Sequence, residues 1–181
     1  MNEMTWVIGA LVVVLVLTVA AVYLAQRQRS RQLRTHFGPE YDVALAGFGH
    51  KRSAERALVR RARRVDKLQL RPLPPELRAD FYDRWQVLQS RFVDDPGAVS
   101  EEAHALLLEV MREQGYPSMK FADEVELLSV HHPASVQHYR AAHRLAQERG
   151  RGETATEELR QALIHYRALF EDLLKEDRRE N

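Results

Sequence analysis

The hydrophobic positions of this chain follow two patterns, an unbroken run near the amino terminus and a helical period beyond it. Residues 6–25 form a stretch of 20 residues without a charged side chain. Twenty helical residues rise about 30 Å, which matches the hydrocarbon thickness of a bilayer. Trp6 and Tyr23 stand near the two ends, where amphipathic rings prefer the membrane interface. The run therefore predicts a transmembrane helix over 6–25, anchored by these two rings.

A cleavable signal peptide is the alternative for the same run. It requires a basic segment before the apolar core, a shorter core and a cleavage site of small residues. Asn2 and Glu3 precede the run and no basic side chain does, although Ala20 and Ala21 keep a cleavage site open. We expect an uncleaved anchor with a short extracytoplasmic tail over 1–5.

The charges that flank the run predict its orientation. Only one charged side chain, Glu3, precedes it, whereas four arginines follow within ten residues: Arg27, Arg29, Arg31 and Arg34. Basic flanks stay in the cytoplasm. We therefore expect a single-pass protein of the cell membrane with its amino terminus outside, a basic juxtamembrane linker over 26–36 and a cytoplasmic domain after it.

The rest of the chain has the composition of an all-α protein. Residues 26–181 contain 19 Leu but only 10 Val, one Ile and 3 Thr, which is a poor stock of strand formers. Apolar residues recur with a period near 3.6, and no Asn-Gly or Asp-Gly hairpin signal appears. We predict that the transmembrane helix is followed by a bundle of about five to six helices over 37–176, with a frayed charged tail over 177–181.

Glycine and proline divide this domain into its predicted helices. The first covers about 39–67 and is interrupted or bent near Gly47 and Gly49. The others cover about 75–92, 99–114, 120–130 and 133–148, with a last helix after a loop at 150–152. The second helix aligns five apolar residues in one core stripe: Leu77, Phe81, Trp85, Leu88 and Phe92. His138-Tyr139-Arg140-Ala141 recurs as 165–168, which we interpret as two neighbouring helices that each bury a tyrosine.

The near-neutral net charge of +1 hides a strong asymmetry. Residues 26–72 carry 13 basic and 4 acidic side chains, whereas residues 73–181 carry 14 basic and 21 acidic ones. On a helical wheel, five cations of the first predicted helix fall within an arc of about 80°. These residues, called the cationic ridge below, are Arg52, Arg56, Arg60, Arg63 and Lys67. Apolar residues occupy the opposite side, with Arg61 as an intruder.

Three surroundings are open for the cationic ridge. A run of charge is most often a solvated face, so water is one. The acidic remainder of the same domain is another, and an anionic lipid surface or an acidic protein partner is the third. Lipid attraction acts only within a Debye length of the bilayer. The ridge reaches that distance only if the chain after residue 34 folds back.

Seven segments of the soluble part are distinctive. They are FGPEYD (37–42), LQLRPL (68–73), RWQVLQSRFVDDP (84–96), REQGYP (112–117), LSVHHP (128–133), HYRAAH (138–143) and LRQALIHYRALFEDLL (159–174). With them, the chain resembles an uncharacterised family of bacterial single-pass membrane-anchored helical proteins over about residues 34–174. The resemblance implies a membrane-anchored helical domain, and it carries over no activity and no functional residue.

The sequence offers little catalytic or metal-binding chemistry. The absence of cysteine excludes disulfides, thiolate metal sites and thiol catalysis. Glu101-x-x-His104 matches one element of a di-iron bundle but has no second copy, so we interpret His104 as the flank of a surface helix. The adjacent His131 and His132 point about 100° apart on a helix, and we expect them to cap a helix or face solvent. No phosphate-binding loop or serine nucleophile motif appears.

These observations favour a non-enzymatic, membrane-tethered interaction or scaffold module without a cofactor or metal. Its expected partners are the membrane, through residues 6–25, and an anionic lipid or acidic protein at the cationic ridge, with no specific nucleic acid. The sequence leaves the oligomeric state open. The alternative is a helical enzyme or metal-binding bundle whose site converges only in the fold.

Overall fold

The computed structural model describes residues 2–147 and 153–175, which form α-helices and contain no strand. The helices are α1 (Asn2–Phe37), α2 (Pro39–Phe48), α3 (Lys51–Val65), α4 (Pro75–Arg91), α5 (Pro96–Glu113), α6 (Phe121–His131), α7 (Ser135–Gln147) and α8 (Glu153–Leu174). The all-α prediction is therefore confirmed. The predicted loop at 150–152 and the tail at 177–181 lie outside the described residues.

The chain divides into two compact units, residues 1–58 and 59–181. In the first unit, two glycines with positive φ separate the helices: Gly38, with φ 47°, stands between α1 and α2, and Gly49, with φ 68°, between α2 and α3. A side chain at either position would strain the backbone. The predicted interruption or bend near Gly47 and Gly49 is thus a full break at Gly49, and the first predicted helix is two helices.

The second unit has its core among α4, α5, α7 and α8. α8 packs against both α7 and α5, and α4 packs against α5. Trp85 is 3% exposed, and its ring stacks on Phe170 of α8 with centroids 4.6 Å apart. Phe81 and Leu88 are buried beside it, as the stripe predicts, whereas Leu77 and Phe92 at its ends are half-buried.

The four-residue echo marks the pairing of α7 and α8. Tyr139 and Tyr166 are both buried, with ring centroids 6.3 Å apart. The preceding residues also meet, because Nδ1 of His138 lies 2.9 Å from Nδ1 of His165. The interpretation of two neighbouring helices that each bury a tyrosine is therefore confirmed.

The connector between α3 and α4 is fixed to the end of α5. The Arg71 backbone N–H donates to the Gln114 carbonyl at 2.9 Å, and the Arg71 guanidinium donates to the Glu113 carbonyl at 3.1 Å. These bonds satisfy carbonyls that the end of α5 leaves without helical partners. Gly115 follows directly, at the position where the sequence predicts that this helix ends.

Candidate cationic binding site

One apolar segment of α1 is long enough to cross a membrane. The candidate span covers Trp6–Phe37 and includes an 18-residue window of mean hydropathy 2.9 with no buried residue. The predicted interfacial rings are open, since Trp6 is 81% and Tyr23 is 63% exposed. They lie 17 residues apart on one helix, or about 26 Å along its axis.

α1 does not end where the apolar run ends. It continues as a helix through the basic segment 26–36 to Phe37. Arg34 turns toward α2, where its guanidinium lies 3.5 Å from the Asp42 carboxylate and over the Tyr41 ring. Its three basic neighbours, Arg27, Arg29 and Arg31, are exposed and form no ion pair with any residue that the structure describes.

The two turns of the first unit bring the start of α3 back beside α1. α2 contributes the contact that holds this arrangement, because the Tyr41 hydroxyl donates to the Glu55 carboxylate of α3 at 3.0 Å. Burial and this hydrogen bond raise the pKa of Tyr41. Glu55 also lies 3.8 Å from the Lys51 ammonium group. Tyr41 thus links α2 to α3, which places the amino-terminal turns of α3 near the basic end of α1.

A cavity of about 580 Å³ lies between these two helices. The part of α1 just past the apolar run forms one wall, and the first turns of α3 form the other. The lining residues are Tyr23, Gln26, Arg27, Arg29 and Ser30 of α1 and Lys51, Arg52, Glu55 and Arg56 of α3. Five of these nine side chains are cationic and one is a carboxylate. This feature is called the cationic cavity below.

The structure exposes all five residues of the cationic ridge. The opposite face of α3 is buried at Ala54, Ala57, Leu58 and Val65, as the helical wheel predicts. Within residues 2–147 and 153–175, no ridge cation forms an ion pair. Two of the ridge residues, Arg52 and Arg56, also line the cationic cavity.

The acidic part of the chain binds the other two arginines of α3 instead. Arg61 lies 3.2 Å from the Glu126 carboxylate of α6, and Arg64 lies 3.2 Å from Glu126 and 3.6 Å from Asp123. The intruder in the helical pattern is therefore the residue that meets the acidic surface. The acidic surface that we considered as one possible surrounding of the ridge thus forms ion pairs with Arg61 and Arg64 instead.

A polar chain in the second unit was not apparent from the sequence. The buried Tyr139 hydroxyl donates to the Glu124 carboxylate at 2.8 Å, and Nε2 of His104 lies 2.9 Å from the same hydroxyl oxygen. His104 is half-buried and stacks on Tyr166, so it is not on the flank of a surface helix. An ionised Glu124 can only accept, so the tyrosine proton points to it and Nε2 of His104 carries a hydrogen.

The surroundings of these hydrogen-bonded groups shift the pKa values of His104 and Glu124 in opposite directions. Burial and the nearby His143 lower the pKa of His104, because both disfavour the imidazolium. Burial raises the pKa of Glu124, although the bond from Tyr139 opposes that effect. Each shift favours the neutral form of its group in the folded protein relative to the same group in water.

We expect His104 to make the second unit sensitive to acid. A lowered folded pKa contributes stability above the unfolded value of about 6.5, and this stability is lost as pH falls toward the folded pKa. The free energy of unfolding should therefore fall between about pH 7 and pH 5, and less steeply in His104→Gln. Urea titrations at several pH values measure both slopes. Parallel profiles of the two proteins would contradict this origin of the acid sensitivity.

His132 takes the first of its two predicted roles, that of a helix cap, and not solvent exposure. His132 caps the end of α6, but its side chain is 1% exposed and Nδ1 lies 2.8 Å from the Asp172 carboxylate of α8. Ser135 donates to the same carboxylate oxygen at 2.6 Å. The Asp172 carboxylate thus contacts both side chains and links the α6–α7 junction to α8. Serine and histidine both contact the acid, which is the geometry of a structural clamp rather than of a nucleophile beside its base.

Comparison with known proteins adds no assignment to this geometry. No family model, curated protein or solved structure matches the chain. In the part of the chain that the structure describes, no three His, Asp or Glu side chains converge as metal ligands would. The resemblance to the membrane-anchored family remains a prediction.

Proposed function

We propose that this protein is a membrane-tethered helical interaction module without enzymatic activity. Its cationic ridge and cationic cavity bind anionic lipid headgroups at the cytoplasmic face of the cell membrane. The observation that carries the proposal is the position of unpaired cations directly beyond an exposed apolar helix. The return of α3 toward α1 supports the proposal, because it brings Arg52 and Arg56 of the ridge near the end of the predicted membrane segment.

Electrostatics supports a lipid surface as the binding partner. A cytoplasmic leaflet attracts each nearby basic group by about 1 kcal/mol. The ridge cations form no ion pair with any residue in 2–147 and 153–175. Arg61 and Arg64 instead pair with carboxylates of α6. An acidic protein could use the same surface, and the experiment below distinguishes the two.

A single introduced cysteine can report the binding, because the chain contains no cysteine. We expect a fluorophore on His50→Cys to contact lipid in nanodiscs that contain anionic lipid and not in zwitterionic nanodiscs. The contact should weaken as salt rises from about 0.1 M to about 1 M, because the Debye length falls from about 10 Å to about 3 Å.

Charge reversal identifies the surface that binds. The triple variant Arg56→Glu, Arg60→Glu and Arg63→Glu should lose the contact while its circular dichroism spectrum stays unchanged. Equal fluorescence in both kinds of nanodisc would contradict lipid binding. The same fluorophore can be followed in native membranes. A signal that depends on the ridge and disappears only when an acidic protein is removed would identify a protein partner instead.

One observation favours the alternative, a helical enzyme or metal-binding bundle. Glu124 and Tyr139 are buried in hydrogen-bond contact, and Glu124 also lines a cavity of about 320 Å³ beside α5. A buried carboxyl group with a raised pKa is a candidate general acid. Metal analysis of the purified full chain discriminates between the two functions, since a stoichiometric metal ion would favour the alternative.

A further inference from the structure

We infer that the cationic cavity is a specific site for a lipid whose head group carries two phosphate groups. This inference rests on the proposed function and deepens it from a charged surface to a built site. The cavity volume of about 580 Å³ is in the range of ligand-binding pockets, about 300–1,000 Å³. It lies beside residues 23–30, where the predicted membrane segment gives way to the basic segment of α1.

The charge in the cavity calls for more than one anion. Five cations line it, and its single carboxylate, Glu55, already accepts the Tyr41 hydroxyl and lies near Lys51. The guanidinium groups come from both walls, with Arg27 and Arg29 on α1 and Arg52 and Arg56 on α3. Guanidinium binds phosphate through two parallel hydrogen bonds, which favours arginine over lysine for this recognition. A head group with two phosphates can engage α1 and α3 at once.

The surface that continues from the cavity suits an acyl chain. A shallower groove of about 300 Å³ is lined by Thr18, Val19 and Val22 and shares Tyr23 and Gln26 with the cationic cavity. The Thr18 hydroxyl donates to the Val14 carbonyl at 2.8 Å, so this polar group is already satisfied. The site therefore passes from cationic to apolar along one face of α1. That order matches an amphiphile, whereas a soluble diphosphate would use only the cationic part.

Native mass spectrometry of the full chain in zwitterionic micelles tests this assignment directly. The titrated probes are phosphatidylglycerol with one phosphate, diphosphatidylglycerol with two, and inorganic pyrophosphate with two phosphates and no acyl chain. Each addition is compared at equal total charge. We expect diphosphatidylglycerol to bind about tenfold more tightly than phosphatidylglycerol, and pyrophosphate to compete only weakly.

The chain offers a matched pair of triple variants on one helix. Lys51→Gln, Arg52→Gln and Arg56→Gln remove one lysine and two arginines from the cavity. Arg60→Gln, Arg63→Gln and Lys67→Gln remove the same charges from the exposed part of the chain beyond it. The first triple should reduce the preference for diphosphatidylglycerol to less than about threefold, while the second should leave it intact. Arg27→Gln with Arg29→Gln repeats the test from α1 if the first triple fails to fold.

The outcomes separate this inference from the proposed function. Equal weakening by both triples, with no preference between the lipids at equal charge, would leave the charged surface in place and overturn the two-phosphate site. Pyrophosphate that binds as tightly as diphosphatidylglycerol would overturn the lipid as the source of the phosphates. Failure of every anionic probe to bind would contradict the proposed function itself.

Discussion

Replacing Trp85 with alanine should lower the free energy of unfolding by about 3–5 kcal/mol, the range for a buried aromatic residue. The ring is almost completely buried and stacks on Phe170, so its removal leaves a cavity between α4 and α8. Such a loss changes the ratio of folded to unfolded protein by more than a hundredfold, since about 1.4 kcal/mol corresponds to a factor of ten. Urea titration of the full chain in detergent, followed by circular dichroism, measures it.

Two further variants of α4 define what the tryptophan contributes. Val87 is exposed on the same helix, so Val87→Ala should change stability by less than about 0.5 kcal/mol. The Trp85 indole N–H has no hydrogen-bond partner in the part of the chain that the structure describes. Trp85→Phe keeps most of the ring and removes that donor, so we expect a smaller loss than for alanine. A Trp85→Ala protein as stable as the original would place the ring outside the core.

The helices were predictable because the apolar period of each helix, and the glycines and prolines at its ends, are local features of the sequence. The prolines at 72, 74 and 75 end one helical segment and begin the next, and α4 begins at Pro75 as predicted. The stripe that includes Phe81 and Trp85 follows from the helical period alone. The sequence predicted an interruption or a bend near Gly47 and Gly49 without deciding between them, since it does not show which glycine adopts a positive φ.

The contacts between helices were not predictable, because they join residues far apart in the chain. His104 meets Tyr139 across 35 residues, and His132 meets Asp172 across 40. Single-residue reasoning placed His104 on the flank of a surface helix and left His132 as a cap or a solvent-exposed residue, because an isolated histidine carries no sign of its partner. The four-residue echo was the one signal of helix pairing, and it located the buried Tyr139 and Tyr166 correctly.

The sequence predicted the cationic ridge but not the cationic cavity. Helical geometry separated the ridge from the buried face of α3, but it could not show that Arg61 and Arg64 reach Glu126 while the ridge stays unpaired. The cationic cavity depends on the chain reversals at Gly38 and Gly49, which bring residues 51–56 beside residues 23–30. Its groups are about 25 residues apart in the chain, so only the fold brings them together.

The proposed lipid binding depends most on the orientation of the predicted membrane segment. The four arginines after the apolar run should hold the basic end in the cytoplasm and place the amino terminus outside. Replacing them with glutamine removes that bias, so the variant should insert in both orientations. The matched control is glutamine at four later cations, Arg56, Arg60, Arg63 and Lys67, which lie beyond the juxtamembrane distance at which positive charge sets topology.

Cysteine accessibility measures this orientation directly in the cysteine-free chain. With a membrane-impermeant maleimide, Asn2→Cys should be labelled in intact bacterial cells, and His50→Cys only after the membrane is permeabilised. The opposite labelling pattern would contradict the proposed orientation, and a soluble protein that begins near residue 22 would show that the segment is a cleaved signal peptide.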